Sequence, residues 1–308
     1  MAASHWAALL ALCAPAAPDP VVVGNATQLL FDDAVIASMD GLTRTLNPPS
    51  FDRVVLQPGG DDAPWEEGFS LVELGTSIVC IPGTHRLRMY YTLRWGGMDA
   101  HGVPLSHSKA LPDMYLQAIA ESDDGVSWAK PRLDRPFASR YNGANVSRSN
   151  ILCESYDLSD KATPFIWVDE DAPPSSRWRA LGWAPNALHA VAGSNAMRVS
   201  YSADGLTWQQ HSVIAVPSTA GSGGLTQPIV FKDPACGAGC HALFTRTDGA
   251  LPEKVKDPRS SAFREVRRVD VTSFDGNGST ARQAVVMQAD AIDLRSHDSV
   301  APFPAMGY

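Results

Sequence analysis

The alternation of apolar and polar side chains predicts a chain built from short β-strands. Three segments share one pattern, in which a strand, a turn and a second strand follow each other. The three pairs of predicted strands cover residues 76–80 and 86–91, 165–169 and 177–183, and 228–233 and 241–245. Pro or Gly residues lie in each intervening turn, and no sustained helical periodicity occurs beyond the first fifteen residues. The pattern is typical of an all-β fold.

A heptapeptide of the form Ser-x-Asp-Gly-aliphatic-Ser/Thr-Trp occurs twice, at residues 122–128 and 202–208. Each copy follows a further predicted strand. Asp-Gly between two β-rich runs is a strong hairpin signal, because Gly adopts the positive φ that a tight turn needs. We expect the Asp carboxylate to accept hydrogen bonds from the turn's own N–H groups and the Trp to pack beneath the hairpin. We call each copy a latch and interpret it as structural.

Strands and latches together form a unit that repeats about three times. In the third copy the next strand covers residues 263–271, and the latch is reduced to residues 274–278. A repeated four-stranded meander predicts the blades of a β-propeller, whereas a β-sandwich, the second-ranked fold, would not repeat one turn so regularly. Residues 290–308 begin a fourth blade, after which the sequence ends. We therefore expect a propeller that is incomplete after about three and a half blades.

Composition and charge add a hypothesis about location. The net charge of −8 argues against nucleic-acid and membrane partners, which need clustered Lys and Arg. Residues 1–16 are typical of a secretory signal peptide, since they combine a short apolar core with the cleavage sequence Ala14-Pro15-Ala16. The apolar core is too short to span a bilayer. We expect a secreted, extracellular and monomeric protein.

The cysteines and sequons fit an extracellular protein. Cys236 and Cys240 enclose a Gly-rich loop between two predicted strands, where we expect a local disulfide. Zinc binding is the alternative, although no second Cys or His pair stands at ligand spacing. Three Asn-x-Ser/Thr sequons are predicted glycosylation sites, with asparagines Asn25, Asn145 and Asn277.

Several motifs resemble those of one group of secreted proteins. They are residues 30–36 (LFDDAVI), residues 64–66 (PWE), the two latches and residues 298–304 (DSVAPFP). The chain from about residue 28 to residue 308 thereby resembles the propellers of glycoside hydrolase family 32, in its N-terminal domain, and of family 43. The resemblance implies a five-bladed propeller whose central funnel is lined by acids. The family 32 nucleophile motif Asn-Asp-Pro-Asn/Asn-Gly is absent from the sequence.

Glycoside hydrolysis needs two carboxyl groups, about 5 Å apart in retaining enzymes and about 6.5–9.5 Å apart in inverting ones. Of the acids nearest the predicted funnel, we favour Glu67, which follows Trp65 where the chain enters the first blade. If this segment is extended, the Glu66 side chain points the other way, and Glu66→Gln is expected to reduce turnover only mildly. The catalytic candidates are Glu66, Glu67, Glu154 and Asp298.

Three tryptophans are candidates for stacking on sugar faces, although a position in the core is the alternative for each: Trp65, Trp95 and Trp183. No metal site and no cofactor are predicted. The sequence thus predicts a secreted carbohydrate-active protein, a glycoside hydrolase that acts on an oligo- or polysaccharide through paired carboxylates. The alternatives are a non-catalytic glycan-binding or scaffolding propeller and a non-functional fragment.

Overall fold

The computed structural model describes most of the chain beyond residue 51. Apart from isolated positions between 38 and 50, the described residues are 52–95, 115–139, 142–154, 164–183, 194–217, 226–233, 236–237, 239–250, 262–274 and 280–288. For some strand residues, among them Glu154 and Trp183, the description covers the backbone alone. The chain divides into two units, Met1–Arg53 and Val54–Tyr308, and the described strands belong to the second.

Nearly all regular structure in the described residues is β-strand. A short 3₁₀ helix, Pro64–Glu66, precedes the first strand. The strands are β1 (Phe69–Cys80), β2 (Leu87–Trp95), β3 (Tyr115–Ser122), β4 (Phe137–Ala138), β5 (Asn145–Val146), β6 (Ile151–Glu154), β7 (Phe165–Val168), β8 (Trp178–Trp183), β9 (Ser194–Ser202), β10 (Gln209–Pro217), β11 (Thr226–Lys232), β12 (His241–Ala250), β13 (Ala262–Val271) and β14 (Thr280–Gln288). None of the described helices is long and apolar enough to cross a membrane.

The strands form three antiparallel four-stranded sheets, which we call blades 1, 2 and 3. Their strand orders are β1-β2-β3-β6, β7-β8-β9-β10 and β11-β12-β13-β14. Strands β4 and β5 pair only with each other, in an insertion that interrupts the fourth strand of blade 1. That strand begins with a bridge between Glu121 and Ala129 and resumes at β6. The sequence pattern did not predict this insertion.

The first strands of the blades lie beside each other, β1 next to β7 and β7 next to β11. Meanders that place their first strands side by side in this way are arranged as the blades of a propeller. The predicted all-β propeller fold is confirmed in this partial form. The fourth blade, predicted from residue 290, lies outside the described residues.

Neighbouring blades are joined by apolar clusters. Between blades 1 and 2 the buried side chains are Tyr90, Ile119, Leu152, Ile166, Trp178 and Ala180. Between blades 2 and 3 they include Leu181, Met197, Val199, Leu243 and Val269. Full burial of one large apolar side chain contributes about 1.5–3 kcal/mol, so these two clusters hold the blades face to face. On the other face of blade 1, Trp65 and Phe137 cover a third cluster.

Both latches adopt the predicted geometry. In each, one Asp oxygen accepts two main-chain N–H groups, from Val126 and Ser127 onto Asp124 at 2.8 and 2.7 Å in the first copy. The second copy repeats these bonds at 2.8 Å onto Asp204. The N–H groups of Ser127 and Val126 hold the pKa of Asp124 well below its usual value. Partial burial alone would raise the pKa of Asp204, but the two N–H bonds and Ser202 outweigh it and lower that pKa.

The second latch also joins two blades. Arg88 on β2 donates to the carbonyl oxygen of Asp204 at 2.7 Å and to the carboxylate of Glu121 at 2.8 Å. Arg135, in the blade 1 insertion, donates to the carbonyl oxygen of Leu206 at 3.0 Å. The second latch is therefore a turn of blade 2 that also contacts blade 1.

The predicted disulfide is present. Cys236 and Cys240 are bonded across the turn between β11 and β12, with their Cα atoms 5.7 Å apart. Within the described residues, Cys80 and Cys153 are not part of a disulfide, and Cys80 is exposed.

Candidate functional site

One edge of blade 1 carries most of the predicted site residues. Phe69, where β1 begins, pairs with Trp95 at the end of β2. Leu116, near the start of β3, pairs with Glu154 at the end of β6. We call this end of the four strands the upper edge of blade 1, as distinct from the free side of a terminal strand. The lower edge carries the β1–β2 turn and the first latch.

Glu66 is fully buried just below the upper edge, where a dense polar network surrounds it. Lys130 lies 2.6 Å from Glu66 Oε2, and Lys130 is itself 93% buried, with 7% of its surface exposed. Tyr91 donates its hydroxyl hydrogen to Glu66 Oε1 at 2.7 Å, and Asn150 Nδ2 donates to the same oxygen at 2.9 Å. A carboxylate whose two oxygens are both bonded inside the protein has no access to a substrate. The structure therefore places Glu66 inside the protein, with both carboxylate oxygens already bonded.

The other members of this network bond to one another and to the main chain. Lys130 also donates to the carbonyl oxygens of Gln57 and Gly59, at 2.7 and 3.0 Å. Trp65 donates its indole N–H to Asn150 Oδ1 at 2.8 Å. Burial, followed by the charge of Glu66, raises the pKa of Tyr91 well above its usual value. The phenol therefore stays protonated and keeps donating to the carboxylate.

Glu67 lies next to this network, and its Oε2 atom stands against Gly59, since a Cβ atom on that glycine would be 2.7 Å away. Its side chain is exposed, and no described residue forms an ion pair or hydrogen bond with its carboxylate. Its main chain is fixed, because Asn142 Nδ2 donates to the carbonyl oxygens of both Glu67 and Trp65, at 2.8 and 2.9 Å. The segment is not extended, since Glu66 ends a 3₁₀ helix. The two side chains still diverge, because the turn buries one and exposes the other.

Trp95 lies against the residue that follows Glu67. A Cβ atom on Gly68 would stand 2.8 Å from the Trp95 ring, so the ring packs directly on the glycine main chain. Gly68 has a φ of 82°, which favours glycine at this position for a second reason. Trp95 also packs edge-on against Phe69, with 5.2 Å between the ring centroids, and remains half-buried. The structure thus places one candidate sugar-stacking ring on the main chain that directly follows a candidate acid.

The remaining candidates lie elsewhere. Trp65 is 98% buried in the apolar cluster of blade 1, with 2% of its surface exposed, so its ring is not a sugar platform. Glu154 is on the outermost strand, three strand spacings or about 14 Å from β1, which argues against a place in the funnel. Trp183 ends β8, and its side chain is outside the description. Asp298 lies outside the described residues.

The predicted sequons divide in the same way. Asn145 is exposed on β5, where a glycan has room. Asn25 and Asn277 lie outside the described residues. In the part of the chain that the structure describes, no group of three His, Cys, Asp or Glu side chains could hold a metal ion.

Sequence reasoning missed the residues that position Glu66 and Glu67. Lys130, Asn142 and Asn150 come from the insertion of blade 1, which lies 64 to 85 positions further along the chain. A lone Lys or Asn in a turn-rich segment carries no signal of such a partner. Only the return of the insertion to the start of β1 brings them together.

Comparison with known proteins gives similarity to solved structures only. No protein-family model matches the chain, and no curated protein matches it. The Bombyx mori GH32 β-fructofuranosidase is 15% identical with a TM-score of 0.41, and the match covers 70% of this chain and 37% of that one. A glycoside hydrolase family 43 arabinoxylan arabinofuranohydrolase from Bacillus subtilis, solved in complex with cellotetraose, is 12% identical with a TM-score of 0.30. That match covers 71% of this chain and 53% of that one.

The resemblance to families 32 and 43 that the motifs indicate is therefore also found in the structure. This chain spans about a third to a half of the two matched chains. Since both TM-scores are below 0.5, we base the function proposed below on the residues of this chain.

Proposed function

We propose that this chain is a secreted carbohydrate-active protein that binds sugar at the upper edge of blade 1. The observation that supports this proposal is the pair formed by Glu67 and Trp95. Glu67 is exposed on a fixed main chain, and a half-buried indole ring packs on the glycine that follows it. This combination suits sugar recognition, because the C–H face of a sugar packs on an aromatic ring while its hydroxyls donate to a carboxylate.

In the hydrolase form of this proposal, Glu67 serves as acid or base. It needs a second carboxyl group within about 5–9.5 Å, on the other side of the scissile bond. Glu66 is unsuited because it is ion-paired and buried, and Glu154 lies on the outermost strand. Asp298 is the remaining acid among the candidates.

A non-catalytic glycan-binding propeller is the second candidate function. The state of Glu66 favours it, because the acid adjacent to Glu67 is neutralised by Lys130 at 2.6 Å. A binding site needs only one exposed carboxylate and a ring, whereas hydrolysis needs two carboxyls.

Secretion is part of the proposal. Residues 1–16 supply the signal-peptide pattern, and the Cys236–Cys240 bond fits an oxidising compartment. The expected partner is a soluble oligo- or polysaccharide.

The test uses the full chain, screened against aryl glycosides and against plant and algal polysaccharides for binding and for hydrolysis. Trp95→Ala should weaken sugar binding by about tenfold or more, while Phe231→Ala, an exposed aromatic on blade 3, should not. Glu67→Gln should preserve binding and reduce any hydrolysis by about 10²–10⁴-fold. Binding without hydrolysis in the parent would support the second candidate function. Binding that survives Trp95→Ala, or hydrolysis that survives Glu67→Gln, would overturn the proposed site.

A further inference from the structure

A cleft of about 690 Å³ lies at the lower edge, between the first strands of blades 1 and 2. On one side it is lined by the end of β1 and the turn that follows, residues 77–84. On the other side it is lined by β7 together with Glu170 and Arg177. A cleft of this volume accommodates a drug-sized ligand or a short piece of chain. It is separated from Glu67 by the length of β1.

The cleft exposes main-chain groups of β1. Ile81 donates its N–H to the carbonyl oxygen of Arg86, so Ile81 directs its main chain toward β2. Main-chain direction alternates along a strand, so Val79 also faces β2, whereas Ile78 and Cys80 direct their N–H and C=O groups away from it. β1 is the terminal strand of its sheet, and these groups therefore form a free edge among the described strands.

The facing edge of β7 follows the same logic. Asp169 donates its N–H to the carbonyl oxygen of Arg177, on the β8 side. Ile166 and Val168 then point their main chains toward β1, and Ile166 N–H indeed donates to Ser77 Oγ at 2.5 Å. This bond closes the cleft at one end. Beyond it, the two free edges stand open to each other.

The floor and rim of the cleft are chemically distinct. The floor is aliphatic and consists of Val79, Ile81, Ile166 and Val168, at the margin of the cluster between blades 1 and 2. The rim carries one carboxylate and one guanidinium, Glu170 and Arg177. Neither forms a side-chain ion pair or hydrogen bond with the rest of the described chain.

We propose that this cleft binds an extended peptide segment. The main chain of the peptide pairs with the free edge of β1 at Ile78 and Cys80, as in strand addition to an exposed sheet edge. An aliphatic side chain of the peptide fills the floor, and flanking basic and acidic groups meet Glu170 and Arg177. A sugar fits less well, because its hydroxyls do not match the regular alternation of N–H and C=O groups along a free strand edge.

Cys80 supplies a direct probe, since it is exposed and lies on the proposed pairing edge. The full chain is treated with a maleimide, and modification of Cys80 is followed by mass spectrometry. The probe peptide is acetyl-Lys-Val-Thr-Val-Glu-amide. A saturating amount of it should slow modification of Cys80 by about tenfold or more. The same peptide with N-methylated amides cannot pair with an edge and should not protect.

Variants test the two recognition elements separately. Ile78→Pro removes one N–H of the free edge without touching the ladder to β2, so the melting temperature should hold while peptide affinity falls by about tenfold. Arg177→Gln, on the rim, should weaken binding of the probe peptide but not of the form in which its Glu is replaced by Gln. Protection of Cys80 by an oligosaccharide in place of the peptide would overturn the proposal in favour of a glycan site. Absence of protection by the peptide at millimolar concentration would overturn it outright.

Discussion

The hydroxyl of Tyr90 on blade 1 donates a hydrogen bond of 2.9 Å to the carbonyl oxygen of Gly205, in the latch of blade 2. Burial raises the pKa of this phenol, so the hydroxyl remains a donor over the physiological range. Trp178 packs against the same glycine, and its ring lies 6.3 Å from that of Tyr90. The second latch thus packs on the rings of Tyr90 and Trp178, which we call its aromatic seat. In the first latch, Leu87 alone among the described residues comes within 4 Å of a Cβ atom placed on Gly125.

Gly205→Ala should destabilise the protein more than Gly125→Ala. Both glycines have a positive φ, 71° and 75°, which costs an alanine about 1–2 kcal/mol. A Cβ on Gly205 would also stand 2.5 Å from the Tyr90 hydroxyl and 2.8 Å from the Trp178 ring. This overlap should add about 1–3 kcal/mol, to be measured by chemical denaturation. Equal losses of unfolding free energy in the two variants would mean that the seat does not constrain the latch.

The latches show which contacts can be predicted from the sequence and which cannot. Seven residues suffice to predict each turn, because Asp, Gly and Ser act within the heptapeptide itself. The second latch also accepts hydrogen bonds from Arg88 and Tyr90, which lie more than a hundred positions earlier. No local pattern encodes these bonds. The two turns therefore share one sequence pattern but do not contribute the same energy.

The acids at the upper edge give a second prediction, which concerns stability and not the turnover for which the sequence predicts a mild effect of Glu66→Gln. Glu66→Gln should lower the free energy of unfolding by about 3–5 kcal/mol, because it leaves the buried ammonium of Lys130 without its counter-ion. Glu67→Gln, one residue later and exposed, should change stability by less than about 0.5 kcal/mol. Urea unfolding of both variants measures the difference. A stable Glu66→Gln variant would show that Lys130 can be buried with main-chain carbonyl oxygens alone.

The candidate site was predictable only in part, for a reason that Glu66 illustrates. Sequence spacing shows that two adjacent acids enter the first blade, and strand geometry suggests that they diverge. Which of them is buried depends on Lys130 and Asn150, which the insertion of blade 1 brings back to this point. The burial of Trp65 depends on a distant residue in the same way, since its hydrogen-bond partner Asn150 lies 85 positions away.

The latch tryptophans give a third prediction. Trp128→Ala and Trp208→Ala should each cost about 3 kcal/mol, near the lower end of the range for Trp→Ala because both rings are half-buried. Trp128 would also lose the bond from its indole N–H to the carbonyl oxygen of Gly125, at 3.1 Å. Trp208 would lose its edge contact with Tyr90. Melting temperatures check the loss, and an unchanged value with lost sugar affinity would contradict the structural role.

The disulfide gives a fourth prediction. Alkylation of the unreduced and denatured protein, expressed through an oxidising compartment, should modify Cys80 and Cys153 but spare Cys236 and Cys240. Because the enclosed loop is short, the double substitution of Cys236 and Cys240 by Ser should cost only about 2 kcal/mol or less. Modification of all four thiols before reduction would contradict the bond.

His241 gives the last prediction, a loss of stability in mild acid. Its ring is 93% buried, with 7% exposed, between Phe274 and the charged groups of Asp169, Lys232 and Arg179. Burial, reinforced by the two cations and opposed by Asp169, lowers the pKa of His241 below its usual value of about 6.5. As pH falls below about 6.5, the unfolded chain takes up this proton before the folded chain does, so stability is complete above that pH and declines beneath it. The unfolding free energy should therefore fall between pH 7.5 and pH 5.5, and His241→Phe should remove that part of the decline. His85→Gln, at an exposed histidine, is the matched control and should leave the decline intact. An identical pH dependence in the parent and in His241→Phe would show that other groups account for the acid sensitivity.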